Sequence, residues 1–100
     1  MNTFYEYVVE WVDEADDIID CEYCETLGRA KDYAKDSRYA GTVRVDIALV
    51  RSSGDEIDGL QERGYAYFDS NGNLPLRFTD GNAVPVRFLR RFGLIENKTS

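Results

Sequence analysis

The sequence predicts an α+β domain: an antiparallel sheet of about four to five strands with one helix packed on one face, in the order ββαβββ. Three observations carry this. Apolar and polar residues alternate at period two in several short runs. One stretch after Thr26 switches to helical spacing. The strands come in runs rather than alternating with helices, which excludes a parallel βαβ architecture. One hundred residues make a single domain, 1–100, whose last few residues are expected to form a disordered tail.

The elements follow in order. In residues 3–12, Tyr5, Tyr7, Val9 and Trp11 share one face and Phe4, Glu6, Val8, Glu10 and Val12 the other; the first is the candidate core face. Residues 13–17 (DEADD) read as a polar turn. Residues 18–23 resume alternation, with Ile19, Cys21 and Tyr23 opposite Asp20 and Glu22, so the first two strands form a hairpin. Thr26 is a helix N-cap, followed by Leu27, Ala30, Tyr33 and Ala34 at helical spacing, and the helix is expected to end near Arg38. Residues 42–51 alternate Val43, Val45, Ile47 and Leu49 against Arg44, Asp46, Ala48 and Val50. Residues 52–63 read as a mobile polar loop. Residues 64–69 read as a strand, Asn71-Gly72 as a two-residue hairpin turn, and 74–79 as its returning strand. Asp80-Gly81 marks another turn, and 84–92 a last extended segment opened by Pro85. The open face of the sheet is expected to show Phe4, Glu6, Val8, Glu10, Asp20, Glu22, Arg44 and Asp46.

Composition excludes several function classes. A 43% hydrophobic fraction argues for a folded domain rather than disorder. No apolar run approaches the roughly 20 residues of a membrane span. The first residues lack a basic region ahead of an apolar one, so a secretory leader is not expected and a cytoplasmic location is. The chain has no histidine, which removes Ser-His-Asp and Cys-His catalysis and the HExxH zinc motif. Net charge is −7, unsuited to direct nucleic-acid binding, which needs clustered cations. The charge is also polarised. Residues 1–28 hold nine acids and no Lys or Arg, whereas 64–100 hold three acids against Arg77, Arg87, Arg90, Arg91 and Lys98. These late arginines are expected to pair with acids across the sheet, such as Glu6, Glu10 or Asp46.

The stretch DEADDIIDCEYCE combines dense carboxylates with a C-x-x-C pair. A calcium loop fails in both registers, because Ala15 or Ile18 falls where an oxygen ligand belongs. Zinc finds two ligands, Cys21 and Cys24, and no second pair. No metal and no cofactor are expected. The segment CEYCETLGRAKDYAK resembles the glutaredoxin active-site segment, and Ala83-Val84-Pro85 resembles the stretch before that family's cis-proline. The resemblance implies Cys21 as nucleophile and Cys24 as resolving thiol. Glu22 stands where that family has proline, and the flanking carboxylates would raise a thiol pKa. Two cysteines three apart on a strand would also face opposite sides of the sheet and could not bond.

The remaining use of the acids is as a surface. A hairpin would hold Glu10, Asp13, Glu14, Asp16, Asp17, Asp20 and Glu22 as an ordered array that steers a basic partner, with Phe4, Val8 and Tyr39 as supporting contacts. In size, charge, compact α+β pattern and lack of catalytic motifs, the chain resembles the small acidic proteins that bacteriophages and mobile elements use against host defences, including anti-CRISPR proteins. That resemblance implies a non-enzymatic inhibitor in the host bacterial cytoplasm. It would bind a basic nucleic-acid-handling effector or nuclease complex and block its nucleic-acid or partner site. The alternatives are a glutaredoxin-like thiol-disulfide protein, a plain protein-interaction module, or a homodimer joined through the acidic and Arg-rich ends.

Overall fold

Strand β1 (Asn2–Asp13) takes up the first alternating run and lies in the interior of the sheet. The computed structural model describes residues 2–36, 39–55 and 60–93. Strand β2 (Ile18–Cys24), helix α1 (Leu27–Ala34), strands β3 (Thr42–Asp55) and β4 (Leu60–Tyr67), and helix α2 (Val86–Phe92) follow. The four strands form one antiparallel sheet in the order β2-β1-β3-β4, with helices on one face: the α+β class that the alternation predicts.

The helix-bearing face holds the main core. Tyr7, Val9, Trp11 and Leu49 from the central strands meet Cys24, Ala30, Ala66, Leu74, Phe78, Val84 and Leu89. Helix α1 starts at Thr26, whose side-chain oxygen accepts a 3.1 Å hydrogen bond from the Arg29 amide. It stops earlier than its spacing suggests, at Ala34. Arg38, where it was expected to end, lies outside the described residues. Beyond the helix, the buried Trp11 donates its indole N–H to the Asp36 carbonyl at 3.0 Å, which ties the helix exit to β1.

Three expectations about the second half need correction. Residues 52–63 are not a loop throughout. Strand β3 runs on to Asp55 and β4 begins at Leu60, because the start of β1 pairs with residues 51–54 and satisfies their backbone; residues 56–59 lie outside the described residues. Residues 74–79 are not a strand: their ladder pairing is limited to isolated bridges, Leu74 to Gly93 and Arg77 to Ala83, while Leu74 and Phe78 are packed into the main core. Pro75 removes a ladder donor near the start of that run. Residues 86–92 are helical, not extended. Pro85, at φ −56°, precedes the first turn, where its missing N–H costs nothing. Phe88, Leu89 and Phe92 form the inner face: Phe88 packs on Tyr5 with ring centres 5.2 Å apart, and Phe92 on Phe68 at 5.5 Å. The tail expected in the last few residues lies outside the described residues.

The open face closes itself. Val8, Ala48 and Val50 on the central strands are fully buried although no helix covers them. Tyr23 on edge strand β2 and Tyr65 on edge strand β4 lean inward over them, their hydroxyls 3.1 Å apart. Small residues in the middle and long aromatic ones at the edges thus make a second, thin core.

Candidate functional site

The turn at residues 13–17 is built by one carboxylate. Asp13 Oδ1 accepts from the Ala15 and Asp17 amides at 2.9 Å each, while the Asp13 amide donates to the Asp17 carbonyl at 2.9 Å and the Asp16 amide to the Asp13 carbonyl at 3.0 Å. Asp16 adopts φ 67°, the left-handed region that Asp tolerates better than most residues. The same arrangement recurs at residues 69–73. There Asp69 Oδ1 accepts from the Asn71 and Asn73 amides, and Gly72 takes the left-handed position at φ 81°. Asn71-Gly72 is therefore the end of a three-residue loop, not a two-residue turn. The acidic turn is thus a fixed backbone shape.

On that frame Glu14, Asp16, Asp17 and Asp20 are exposed. Asp16 reaches Arg44 at 2.8 Å, and Arg44 also holds Asp46 at 2.8 Å. The Asp16 pair is largely solvent-exposed, so it contributes little to stability. Ile18 and Ile19 stand exposed beside the acids, at 52% and 38%. Tyr39 lies at the same end, its carbonyl accepting from Thr42, which pairs with Asp13; its ring packs on Trp11 at 5.0 Å.

The other expected contact residues are placed elsewhere. Val8 is fully buried and Glu10 is 6% exposed, because tyrosines from the edge strands reach over this face of β1: Tyr23 and Tyr65 pack on Val8, and the Tyr67 hydroxyl meets Glu10; neither offers surface to a partner. Glu10 Oε1 instead accepts a 2.7 Å hydrogen bond from the Tyr67 hydroxyl. Asp20 and Glu22 do not share the open face with Glu10. They pair with Trp11 and Val9, on the helix-bearing side, and Cys21 is the residue opposite Glu10. A register shift between Trp11 and Val12 separates this pairing from that of Ile18. Phe4 is exposed at 56%, but nine residues of strand, roughly 30 Å, separate it from Asp13. The exposed group is therefore smaller than the sequence set: Glu14, Asp16, Asp17 and Asp20, with Asp13 as their brace. Sequence reading missed Ile18, Ile19 and Arg44 as their neighbours. Adjacency across the β2-β1-β3 order, which is not visible in one strand's alternation, brings Arg44 there.

In comparisons with known proteins, no family model, curated protein or solved structure matches this chain.

The two thiols sit on opposite faces. Cys24 is buried in the helix-side core and Cys21 packs under the open-face tyrosines; both are free. Burial raises the Cys21 pKa first, and the nearby carboxylates of Asp20, Glu10 and Glu22 raise it further. Burial likewise raises Cys24, with Glu22 adding to it. The peptide before Pro85 is trans, since the described residues hold no cis bond. The late arginines do not cross the sheet to Glu10 or Asp46, because α2 lies on the helix-bearing face. Arg87 stacks over Tyr5 and Phe88, and Arg91 over Phe92. Among the described residues, no cluster of three or more Asp, Glu or Cys is placed to hold a metal ion. Among the described residues, no helix is long and apolar enough to cross a membrane.

Proposed function

We propose that this chain is a non-enzymatic acidic binding protein of the phage anti-defence kind. It acts as a stoichiometric inhibitor that docks its 13–17 turn on a basic host protein handling nucleic acid and blocks that protein's nucleic-acid or partner site. The observation that carries this reading is the bracing of the turn by Asp13, which fixes the exposed Glu14, Asp16 and Asp17 in space. Carboxylates on a fixed backbone imitate a short run of phosphates without the entropy cost of ordering a flexible loop on binding. Their field steers a cationic partner, and Ile18 and Ile19 beside them supply the apolar contact that slows its release.

The test is capture from a bacterial lysate by the immobilised chain, with the wild type compared with a Glu14→Lys/Asp17→Lys double variant. Both sites are exposed and Asp13 is retained, so the fold survives. A basic protein should be retained by the wild type at about 0.1 M salt, released near 1 M, and lost from the variant. Equal capture by wild type and variant would remove the turn from the contact surface.

A further inference from the structure

The outer face of α2 is another exposed charged surface among the described residues. Arg87, Arg90 and Arg91 fall at positions i, i+3 and i+4 and share one side of the helix. Their guanidinium groups are partly positioned: Arg87 lies 5.2 Å from the Tyr5 ring centre and 4.7 Å from that of Phe88, and Arg91 lies 4.9 Å from that of Phe92. Two apolar side chains accompany them. Val86, on the helix itself, is 50% exposed, and Leu76, whose carbonyl accepts from the Val84 amide at 2.9 Å, is 59% exposed.

This surface is the complement of the acidic turn. Three arginines with Leu76 and Val86 face, in kind, four carboxylates with Ile18 and Ile19. Within one molecule the two cannot meet. Tyr5, under Arg87, and Asp13, which braces the turn, are eight residues apart on one strand, about 26 Å. We infer that the outer face of α2 docks the acidic turn of a second copy of this chain. The inference rests on the reading of the turn as a docking surface and gives that surface a partner of complementary charge, the chain itself. A host protein that captures the turn would then compete with self-association.

The test uses the purified full chain, so its outcome is independent of any host protein. Mass is measured by light scattering at about 0.1 M salt. The Debye length there is about 10 Å, short enough to screen the overall repulsion of two −7 molecules yet long enough to leave contact ion pairs. A multiple of 11.4 kDa is expected at high micromolar concentration, falling to 11.4 kDa near 1 M salt. Glu14→Lys/Asp17→Lys and Arg90→Glu/Arg91→Glu should each weaken self-association by about tenfold or more. Mixing the two variants should restore it, because each then presents the charge that the other has lost. A wild type that stays at 11.4 kDa overturns the inference. So do variants that associate as well as the wild type, or a mixture that fails to pair. Failure here with lysate capture intact would remove the second copy as partner and leave the turn's function standing.

Discussion

The Tyr67 hydroxyl on edge strand β4 donates a 2.7 Å hydrogen bond to Glu10 on β1, passing over β3 between them. Ala48, the residue opposite Tyr67, is small enough to let the ring lie across it. A carboxylate that is 6% exposed on an interior strand is thereby given a donor. Tyr67→Phe removes that donor and leaves the carboxylate under-satisfied. It should cost about 1–3 kcal/mol in urea unfolding at pH 7. A Glu10→Gln/Tyr67→Phe double variant should lose less than the sum of the two singles.

The same pair sets an alkaline limit. Burial, then the Glu10 bond and charge, push the Tyr67 phenol well above its ordinary value; burial and the Tyr65 hydroxyl do the same for Tyr23. A raised folded pKa means that the fold favours the neutral phenol. The contribution is complete below about pH 10, the unfolded value, and is lost as pH rises beyond it. Unfolding midpoints should therefore fall above pH 10, and the Tyr67→Phe variant should fall less steeply. An ultraviolet phenolate titration checks this: part of the tyrosine signal should appear only with unfolding.

Two open glycines should respond with opposite sign. An added Cβ meets nothing within 4 Å at either Gly28 or Gly72. Gly28 lies in α1, where alanine is the better helix former, so Gly28→Ala should stabilise by about 0.5–1 kcal/mol. Gly72 sits at φ 81°, so Gly72→Ala should destabilise by about 1 kcal/mol despite the free space. Thermal midpoints of the two variants on either side of the wild type would confirm that backbone conformation, not room, decides.

At Gly64 room does decide. A Cβ there would lie 2.6 Å from the Asp80 carboxylate. That carboxylate caps the Asn82 amide at 3.0 Å and approaches Arg51 at 3.8 Å. Its pKa is lowered, mainly by the backbone bond from Asn82, so its contribution is present above the usual carboxylate range and lost as pH falls through it. Gly64→Ala should displace it and cost about 1–2 kcal/mol. In an Asp80→Ala background the same substitution should cost much less, which a double-mutant cycle in urea would read.

The thiols should behave as packing groups. Mild oxidation should leave no internal Cys21–Cys24 disulfide, because the two sulfurs belong to opposite faces of β2. Alkylation should be slow at pH 7 and quicken only above about pH 9, Cys21 before the more buried Cys24. Rapid internal pairing would contradict the strand register.

Period-two alternation made β1, β2 and the body of β3 legible, and the N-cap at Thr26 located α1, because both signals are local. What alternation cannot express is which strand lies inside. Val8 and Glu10 look like surface residues on a half-solvated strand, yet the β2-β1-β3-β4 order sets edge-strand tyrosines over them. α2 was misread for a different reason. Read as a strand, residues 86–92 place Leu89 among arginines and Arg90 among apolar residues. Read as a helix, they gather Phe88, Leu89 and Phe92 on one side, and that better grouping was available in the letters. The acidic turn was legible as a turn, but the Asp13 brace that gives it shape depends on backbone geometry.

The central seam has a consequence for how this chain reaches its native state. The β1–β2 and β3–β4 hairpins close short loops and can zip within microseconds. The β1–β3 seam joins residues roughly 30 to 50 apart, from Asp13↔Thr42 to Asn2↔Gly54, and must wait for a much larger closure. Substitutions at the seam, such as Leu49→Ala, should slow refolding, whereas those in α2 should chiefly hasten unfolding. Until the seam forms, each hairpin carries one long unpaired edge. During synthesis, those edges rather than the finished surface are where two nascent chains would stick to one another.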